Sequence, residues 1–516
     1  MGLILIGAII AAILSVLYSL QPIYPPSGLP VPSPTSSFWQ SDPLYPDLVD
    51  RRSPALPREV DIAIIGSGIT GAAVAWSILG LSTPHRVAVL EARQLCSGAT
   101  GRNGGHIKIS PHYELDYLVK AGSSLTRAAA LVRFQLRHLG LLTGLCEAEG
   151  VAEAECREVE TVDLYAEEEG FREAKGLVDL SRKYVPEVKI AVFNGEEARK
   201  KFDVNESVVG AISYRAGTLW PYRFVTAIWK RLLERFPHVL SIETGTPVKS
   251  IEVDETALSS TEKHVYPYKL VTPRGVIRAR HVVHATNAFA SHLIPGLRGK
   301  MVGKLGHMSA QQPGTLFPNL AGNRSWTVYF DSFFYYIMQR PSVDGASGEL
   351  MVGFASDDRG DDMVGVYDDS TLDRHTYAHL EEITPRIFAP KWGEDREGGR
   401  MKSIWSGVMA LTGDDLPFVG NLDHRLTGRK LGVPPQLGAL GRGHNGTGEW
   451  ISAAYNGDGM VLAWLCGTAL GIMIAGMEEV ELQPDPGRPS GKLADWFPAE
   501  LLATYERIQR INTTGW

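Results

Sequence analysis

Gly66, Gly68 and Gly71 stand at G-x-G-x-x-G spacing (Gly66-Ser67-Gly68-Ile69-Thr70-Gly71), and Glu91 follows 20 residues after the last of them. Glycines so spaced suit the binding of a dinucleotide. The first permits a tight turn, the second lets backbone approach a pyrophosphate, and the third lets a helix pack closely on a strand. The helix opened by Ile69 and Thr70 would aim free N–H groups and positive dipole at that pyrophosphate. A carboxylate at Glu91 would accept hydrogen bonds from a ribose diol, which favours FAD or NAD over NADP. The flanking residues supply the scaffold. Val60–Ile65 reads as a buried parallel strand, Ala72–Gly80 as a helix, and Arg86–Leu90 as a second strand ending on the acid.

Ala92 then leads into Arg93–Ile107 (RQLCSGATGRNGGHI), whose Gly, Ser, Thr and Asn residues can present amides and hydroxyls to a bound polyanion. This segment resembles the D-amino-acid oxidase/glycine oxidase (DAO) superfamily of FAD-dependent amine oxidoreductases. Its GATGRNGG loop is similar, within that superfamily, to γ-glutamylputrescine oxidase-like fungal FAD-dependent oxidoreductases. The likeness continues through Gly245-Thr246-Pro247-Val248 and through His281–Ala288, where Asn287 replaces a glycine. It ends in Trp405–Gly420 and Gly448–Ala469, and covers about residues 38–475 in order.

The resemblance implies FAD. It places Ser97, Thr100, Arg102, Asn103, Gly104 and Gly105 along the pyrophosphate and flavin edge, and Val248 and Ala285 around the nucleotide. Gly457, Gly459 and Met460 fall at the flavin's pyrimidine end, where a helix N-terminus would stabilise the charge of reduced flavin. Relatives with covalent flavin use a cysteine within the segment matching 406–412 or a histidine near 102. This chain carries Gly407 and Arg102, which implies non-covalent FAD.

Amine oxidation on a flavin needs no protein nucleophile; the protein orients the substrate and sets the electrostatics. The catalytic candidates are Arg102 and His106 in the flavin-edge loop, Lys304 and His307 beside the flavin, and Tyr336 and Arg340 above it. Lys304 and His307 could order water or oxygen. Tyr335 and Tyr336 could form an aromatic wall, and Arg340 could bind a carboxylate. Asp414 and Asp415 read as turn formers, and no residue stands out as a base. A single G-x-G-x-x-G argues against NAD(P)H as electron partner, which leaves dioxygen or another acceptor. Three functions are consistent with this: an oxidase of a small amine or amino acid, a dehydrogenase or secondary-metabolite biosynthetic oxidase, and a non-catalytic flavin-binding membrane protein.

These residues need an α/β fold, a Rossmann-type FAD-binding domain interleaved with a β-rich, antiparallel substrate domain and preceded by an N-terminal hydrophobic helix. The expected FAD domain comprises 59–165, 205–300 and 400–476, and the substrate domain 165–205 and 300–400. Residues 21–58 read as a Pro-rich linker over the surface, and 477–516 as a C-terminal tail. Tyr113–Glu149 has helical spacing, with Leu125, Ala128, Val132, Leu136 and Leu139 on one stripe.

Gly2–Leu20 is 19 residues without a charge, enough to span about 30 Å of hydrocarbon. It is expected to anchor the protein in the bilayer as a single pass; signal cleavage and a secreted or luminal protein is the alternative. With no Lys or Arg before Arg51, the positive-inside rule assigns no orientation. Glycosylation sequons at Asn205, Asn323, Asn445 and Asn512 matter only in a lumen. A net charge of −7 over 516 residues, with no basic stripe, argues against a nucleic-acid partner. Cys96, Cys146, Cys156 and Cys466 form no C-x-x-C and no histidines stand at zinc spacing, so no metal site is expected. Cys146 and Cys156 could pair in an oxidising compartment.

Overall fold

Val60, Ile62, Ala63, Ile64 and Ile65 are apolar on both faces of their strand, and such a strand needs cover on both sides. In the computed structural model, which describes residues 24–81, 85–254, 266–342, 347–356, 363–431 and 446–513, that cover is present. β1 (Glu59–Ile65) lies within an eight-stranded sheet. The path runs β16 (Phe418–Asn421), β17 (Gly448–Ala453), β10 (Gly275–His284), β1, β2 (Val87–Leu90), β7 (Leu240–Glu243). β8 (Ser250–Val253) and β9 (Tyr268–Thr272) pair beside β10. The ladders from β17 to β7 are parallel. Helix α1 (Ile69–Leu81) follows β1 and packs against α7 (Ala463–Ala475). Both are buried over most of their length.

The second sheet has nine strands. Its path runs β15 (Met401–Thr412), β11 (Met301–Gln311), β14 (Leu350–Ser356), β13 (Phe333–Gln339), β12 (Arg324–Tyr329), β4 (Arg157–Tyr165), β6 (Gly210–Thr218), β3 (His106–Ile107). β5 (Ala191–Asn194) lies beside β6. One face buries Trp326, Val328, Ile337 and Val352 against α6 (Arg374–Ile387). Around the two sheets lie α2 (Pro111–Lys120), α3 (Leu125–Ala148), α4 (Glu168–Tyr184) and α5 (Pro221–Arg235).

Three expectations need correction. β3, β4, β6 and β15 fall in segments assigned to the FAD domain, yet they pair in the second sheet. Strand pairing is non-local, and composition along the chain does not report it. Residues 24–58 are not a linker over the surface: Trp39 and Leu48 are 0% and 1% exposed. The segment 477–513 is likewise no free tail, since it buries Trp496, Leu501 and Ile508 and its Arg507 pairs with Asp414 at 2.8 Å.

The expected anchor, Gly2–Leu20, and the sequon at Asn445 lie outside the described residues. Among the described residues, no helix is long and apolar enough to cross a membrane. Cys146 and Cys156 form a disulfide with their Cα atoms 6.4 Å apart, while Cys96 and Cys466 are buried thiols.

Candidate functional site

β1 delivers the chain into a turn that tolerates no larger residue. Gly66 has φ +107°, and a Cβ there would meet the Ala285 carbonyl at 2.5 Å. A Cβ on Gly71 would come 2.1 Å from the Gly66 carbonyl, so α1 is pressed directly onto the turn. At Gly68 the neighbour is a side chain, Thr100 Oγ1 at 2.9 Å, and that hydroxyl accepts from the Ile69 amide at 3.0 Å. The turn and the N-terminus of α1 open onto a cavity of about 1120 Å³.

Gly66, Gly68, Ile69, Thr70, Glu91, Ala92, Thr100, Arg102, Asn103, Gly104, Val248, Ala285, Gly457, Gly459 and Met460 all line this cavity. Three expected cofactor residues do not. Gly71 packs the helix, the Ser97 carbonyl accepts from Arg93 and Arg102, and Gly105 packs against the Leu219 carbonyl and Trp39. Glu91 is oriented by the turn itself. Its Oε2 accepts from the Ser67 amide at 3.1 Å and hydroxyl at 2.6 Å, and its Oε1 from the Arg93 amide at 3.0 Å. A carboxylate offers about four lone-pair sites, so capacity remains for a ribose diol.

Asn287 has φ +45°, in the left-handed region that asparagine tolerates better than most residues. Its Oδ1 accepts from the Ala454 amide at 3.0 Å. This explains how an asparagine stands where the resemblance has glycine.

The residues present fit an FAD. Four buried polar atoms of cavity-lining residues, Gln135 Oε1, Thr286 Oγ1, His106 Nδ1 and His292 Nε2, have no protein partner. Such atoms call for a polar ligand or water, because leaving them unpaired is costly. Thr100, Asn103 and Gly104 would hold the pyrophosphate side, and the Gly457–Met460 turn the far end.

The Pro-rich segment builds this site. Ser37 Oγ donates to the Gly101 carbonyl at 2.7 Å, Trp39 Nε1 to Asn103 at 2.7 Å, and Gln40 Nε2 to Gly101 at 3.0 Å. Trp405 Nε1 takes the Arg102 carbonyl at 2.8 Å. These bonds fix which way the loop's peptide planes face.

Arg102, a catalytic candidate, is committed to the same scaffold. Its Nε donates to Ser97 O at 2.9 Å, Nη1 to Ser406 O at 2.8 Å and Nη2 to Thr35 O at 2.8 Å. Asp369 lies 3.6 Å away and also holds Arg93 at 2.9 Å. Burial brings the Arg102 pKa down to about 10, with Asp369 opposing the shift, so it remains a cation at neutral pH. Gly407 abuts it: a Cβ there would lie 3.0 Å from the Arg102 Cβ.

Across the cavity stand His106, Lys304, His307 and Tyr336, with Tyr329, Phe334 and Phe354. His106 Nε2 lies 3.3 Å from the Ile337 carbonyl. Burial first, then the charge of Lys108, lowers its pKa to about 3, so the ring is neutral. Nε2 then carries the hydrogen and Nδ1 is an acceptor. Burial raises the Tyr336 hydroxyl to about 12, so it stays protonated. His307 Nε2 accepts from the Asp373 amide at 2.9 Å, and Lys304 Nζ donates to Ser356 O at 3.2 Å.

Arg340 and Tyr335 are placed elsewhere. Arg340 pairs with Glu155 at 2.5 Å and Glu349 at 2.6 Å and lies over the Trp220 ring. Tyr335 points away from the cavity, because side chains alternate along β13, and its hydroxyl meets His379 Nδ1 at 2.7 Å. Asp415 has φ +56°, as befits a turn former.

Several cavity residues carried no sequence signal. Lys108, Ser110 and Thr327 gather around the buried Asp163, drawn from elements far apart in the chain. Glu114 and Asp458 both line the cavity. Burial, and then the charge of Glu114, holds the Asp458 carboxyl well above its usual range. Among the described residues, no three His, Cys, Asp or Glu side chains converge to hold a metal ion.

Solved structures share this fold. Glycine oxidase from Geobacillus kaustophilus superposes with a TM-score of 0.59 at 18% identity, covering 81% of this chain and 95% of that one. L-Proline dehydrogenase from P. horikoshii gives 0.59 at 19% identity over 88% and 99%. L-Amino acid deaminase from Proteus myxofaciens, in complex with anthranilate, gives 0.59 at 16% identity over 93% and 99%. No curated protein sequence matches the chain. The family model described as DAO, FAD dependent oxidoreductase, matches residues 61–471, and the chain therefore belongs to the DAO family of FAD-dependent oxidoreductases.

Proposed function

We propose that the protein oxidises the C–N bond of a small amine or amino acid, with electrons passing through non-covalently held FAD to dioxygen. The carrying observation is that the dinucleotide turn and the aromatic face of the second sheet line one cavity. Bound there, FAD would supply the two-electron acceptor. The protein's part is to orient and to exclude water. Tyr336, Phe334 and Phe354 form an apolar wall, and His106 Nδ1 offers an acceptor to an amine N–H. Lys304 and His307 stand where water or dioxygen would be ordered. In the overall reaction the amine loses two electrons and two protons to become an imine, and dioxygen takes them up as hydrogen peroxide. Non-covalent attachment is supported by Arg102 and Gly407 at the positions that carry the bond in some relatives. The GATGRNGG loop supports the γ-glutamylputrescine oxidase-like subgroup. A dehydrogenase or biosynthetic oxidase using another acceptor or substrate is the second reading, favoured by similarity of fold to the L-proline dehydrogenase from P. horikoshii.

Gly2–Leu20 supports attachment to a bilayer. The Cys146–Cys156 disulfide and the exposed sequon residue Asn323 favour a luminal or extracellular catalytic domain. The test of function is an amine panel read by loss of the flavin's visible absorbance, with peroxide measured in air. Bleaching with peroxide supports the oxidase, bleaching without peroxide the dehydrogenase, and no bleaching contradicts both.

A further inference from the structure

Arg340 was the residue expected to receive a substrate carboxylate, and its ion pairs with Glu155 and Glu349 take it out of the cavity. Arg93 and Arg102, which do line the cavity, share Asp369. The wall built by the second sheet nevertheless contains a patch of donors. Lys108, just after β3, has its side chain 8% exposed, and its Nζ donates to Asp163 Oδ1 at 2.8 Å and to Thr327 Oγ1. Thr327 on β12 is the ladder partner of Asp163 on β4, which brings the hydroxyl and the carboxylate side by side. Asp163 is fully buried, and its Oδ2 accepts from Tyr214 at 2.9 Å and Ser110 at 3.1 Å.

An ammonium has three hydrogens and a hydroxyl has one. Lys108 spends two, and Thr327 accepts from Lys108 without spending its own. Among the described residues, neither remaining hydrogen has a nitrogen or oxygen acceptor, and the Tyr214 ring lies 5.6 Å from the Lys108 ammonium. Both residues line the cavity. Two donors at hydrogen-bonding distance from each other match the two oxygens of one carboxylate. Behind them, Asp163 fixes the lysine and offsets its charge, so no bare cation is buried before the ligand arrives.

Resting on the amine-oxidation reading above, we propose that Lys108 and Thr327 bind a carboxylate of the substrate, which makes the substrate an amino acid or another amine bearing an acid group. Asp163 acts through Lys108 as a positioning residue. Lys304, whose ammonium reaches the Ser356 carbonyl, serves a different part of the wall.

The test titrates the holoprotein with benzoate and with benzamide, its uncharged counterpart, following the flavin's visible spectrum. Benzoate should perturb it saturably. Affinity should fall roughly 10- to 100-fold in Thr327→Val and in the double variant Lys108→Met/Asp163→Asn. The double variant removes the pair without leaving a bare buried carboxylate. Lys108→Arg should retain binding, and benzamide should respond equally in every variant. Thr327→Val removes one hydroxyl, and an unchanged melting temperature with retained flavin shows that it is folded. The proposal is overturned by a benzoate response that is absent, by one equal in wild type and Thr327→Val, or by one lost only in Lys304→Met. An amine that reduces the flavin while benzoate has no effect contradicts this subsite alone. A flavin that no amine reduces contradicts the oxidation reading itself.

Discussion

Gly68→Val tests the cofactor site at a turn glycine that lines the cavity. A Cβ at Gly68 would sit 2.9 Å from Thr100 Oγ1, and that hydroxyl satisfies the Ile69 amide at 3.0 Å. To make room, Thr100 must rotate and release the amide at the first turn of α1. Overpacking of this kind costs about 1–3 kcal/mol, and an orphaned buried donor about 1–3 kcal/mol more. The γ-methyls would also project where a pyrophosphate must approach. A total of about 2–6 kcal/mol is a loss of FAD affinity of roughly 30-fold or more. The assay is FAD titration of apoprotein, with melting temperature as the control for folding. Gly71→Val provides the contrast. There the obstacle is the Gly66 carbonyl at 2.1 Å, so the turn itself should fail and the protein should not fold. Glu91→Gln should be milder than Gly68→Val, because the amide oxygen can still accept from Ser67 or Arg93. If Gly68→Val apoprotein binds FAD as tightly as wild type, the dinucleotide lies elsewhere and the site assignment is wrong.

Other outcomes follow from the proposed anchor and from the contacts around the site. Full-length protein should sediment with membranes, and deletion of 1–20 should release a flavin-loaded enzyme. Deletion of 1–40 should strip FAD, because it removes Thr35, Ser37, Trp39 and Gln40 from the flavin-edge loop; centrifugation and flavin absorbance read both. Arg102→Met should cost about 1–3 kcal/mol or more of stability, because the Ser97, Ser406 and Thr35 carbonyls lose their charged donor, and unchanged melting would restore Arg102 as a catalytic candidate. Stability should also fall in acid. His106, His112 and His138 have pKa values lowered by burial to about 3, 4 and 4, against about 6.5 when unfolded. The unfolded chain binds more protons in that window, so their penalty is absent above about pH 6.5 and grows as pH falls toward 4. Melting curves that stay flat from pH 7 to pH 4, both about the ends of that window, would contradict it.

The dinucleotide turn was legible because its signal is local. Glycine spacing, the apolar run before it and the acid at the end of β2 all fall within Val60–Glu91, and all but Gly71 of the motif's glycines face the cavity. Asn287 was legible as an oddity, and its positive φ supplies the reason. The part played by the Pro-rich segment was missed because that segment has no periodicity to read. Its contacts are single bonds from Ser37, Trp39 and Gln40 to carbonyls some 60 residues away. Arg340 was misplaced for a related reason: Glu155, 185 residues distant, claims it. Lys108, Asp163 and Thr327 look unremarkable one at a time, and only the pairing of β12 with β4 assembles them.

The central claim is that this cavity brings an amine to a bound flavin. The most direct measurement mixes purified holoprotein anaerobically with each member of a panel of amines and amino acids, monitors the flavin's absorbance, and then admits air. At least one compound should bleach the flavin, and air should restore it with one peroxide formed per amine oxidised. A flavin that dithionite reduces but no amine bleaches would contradict the account.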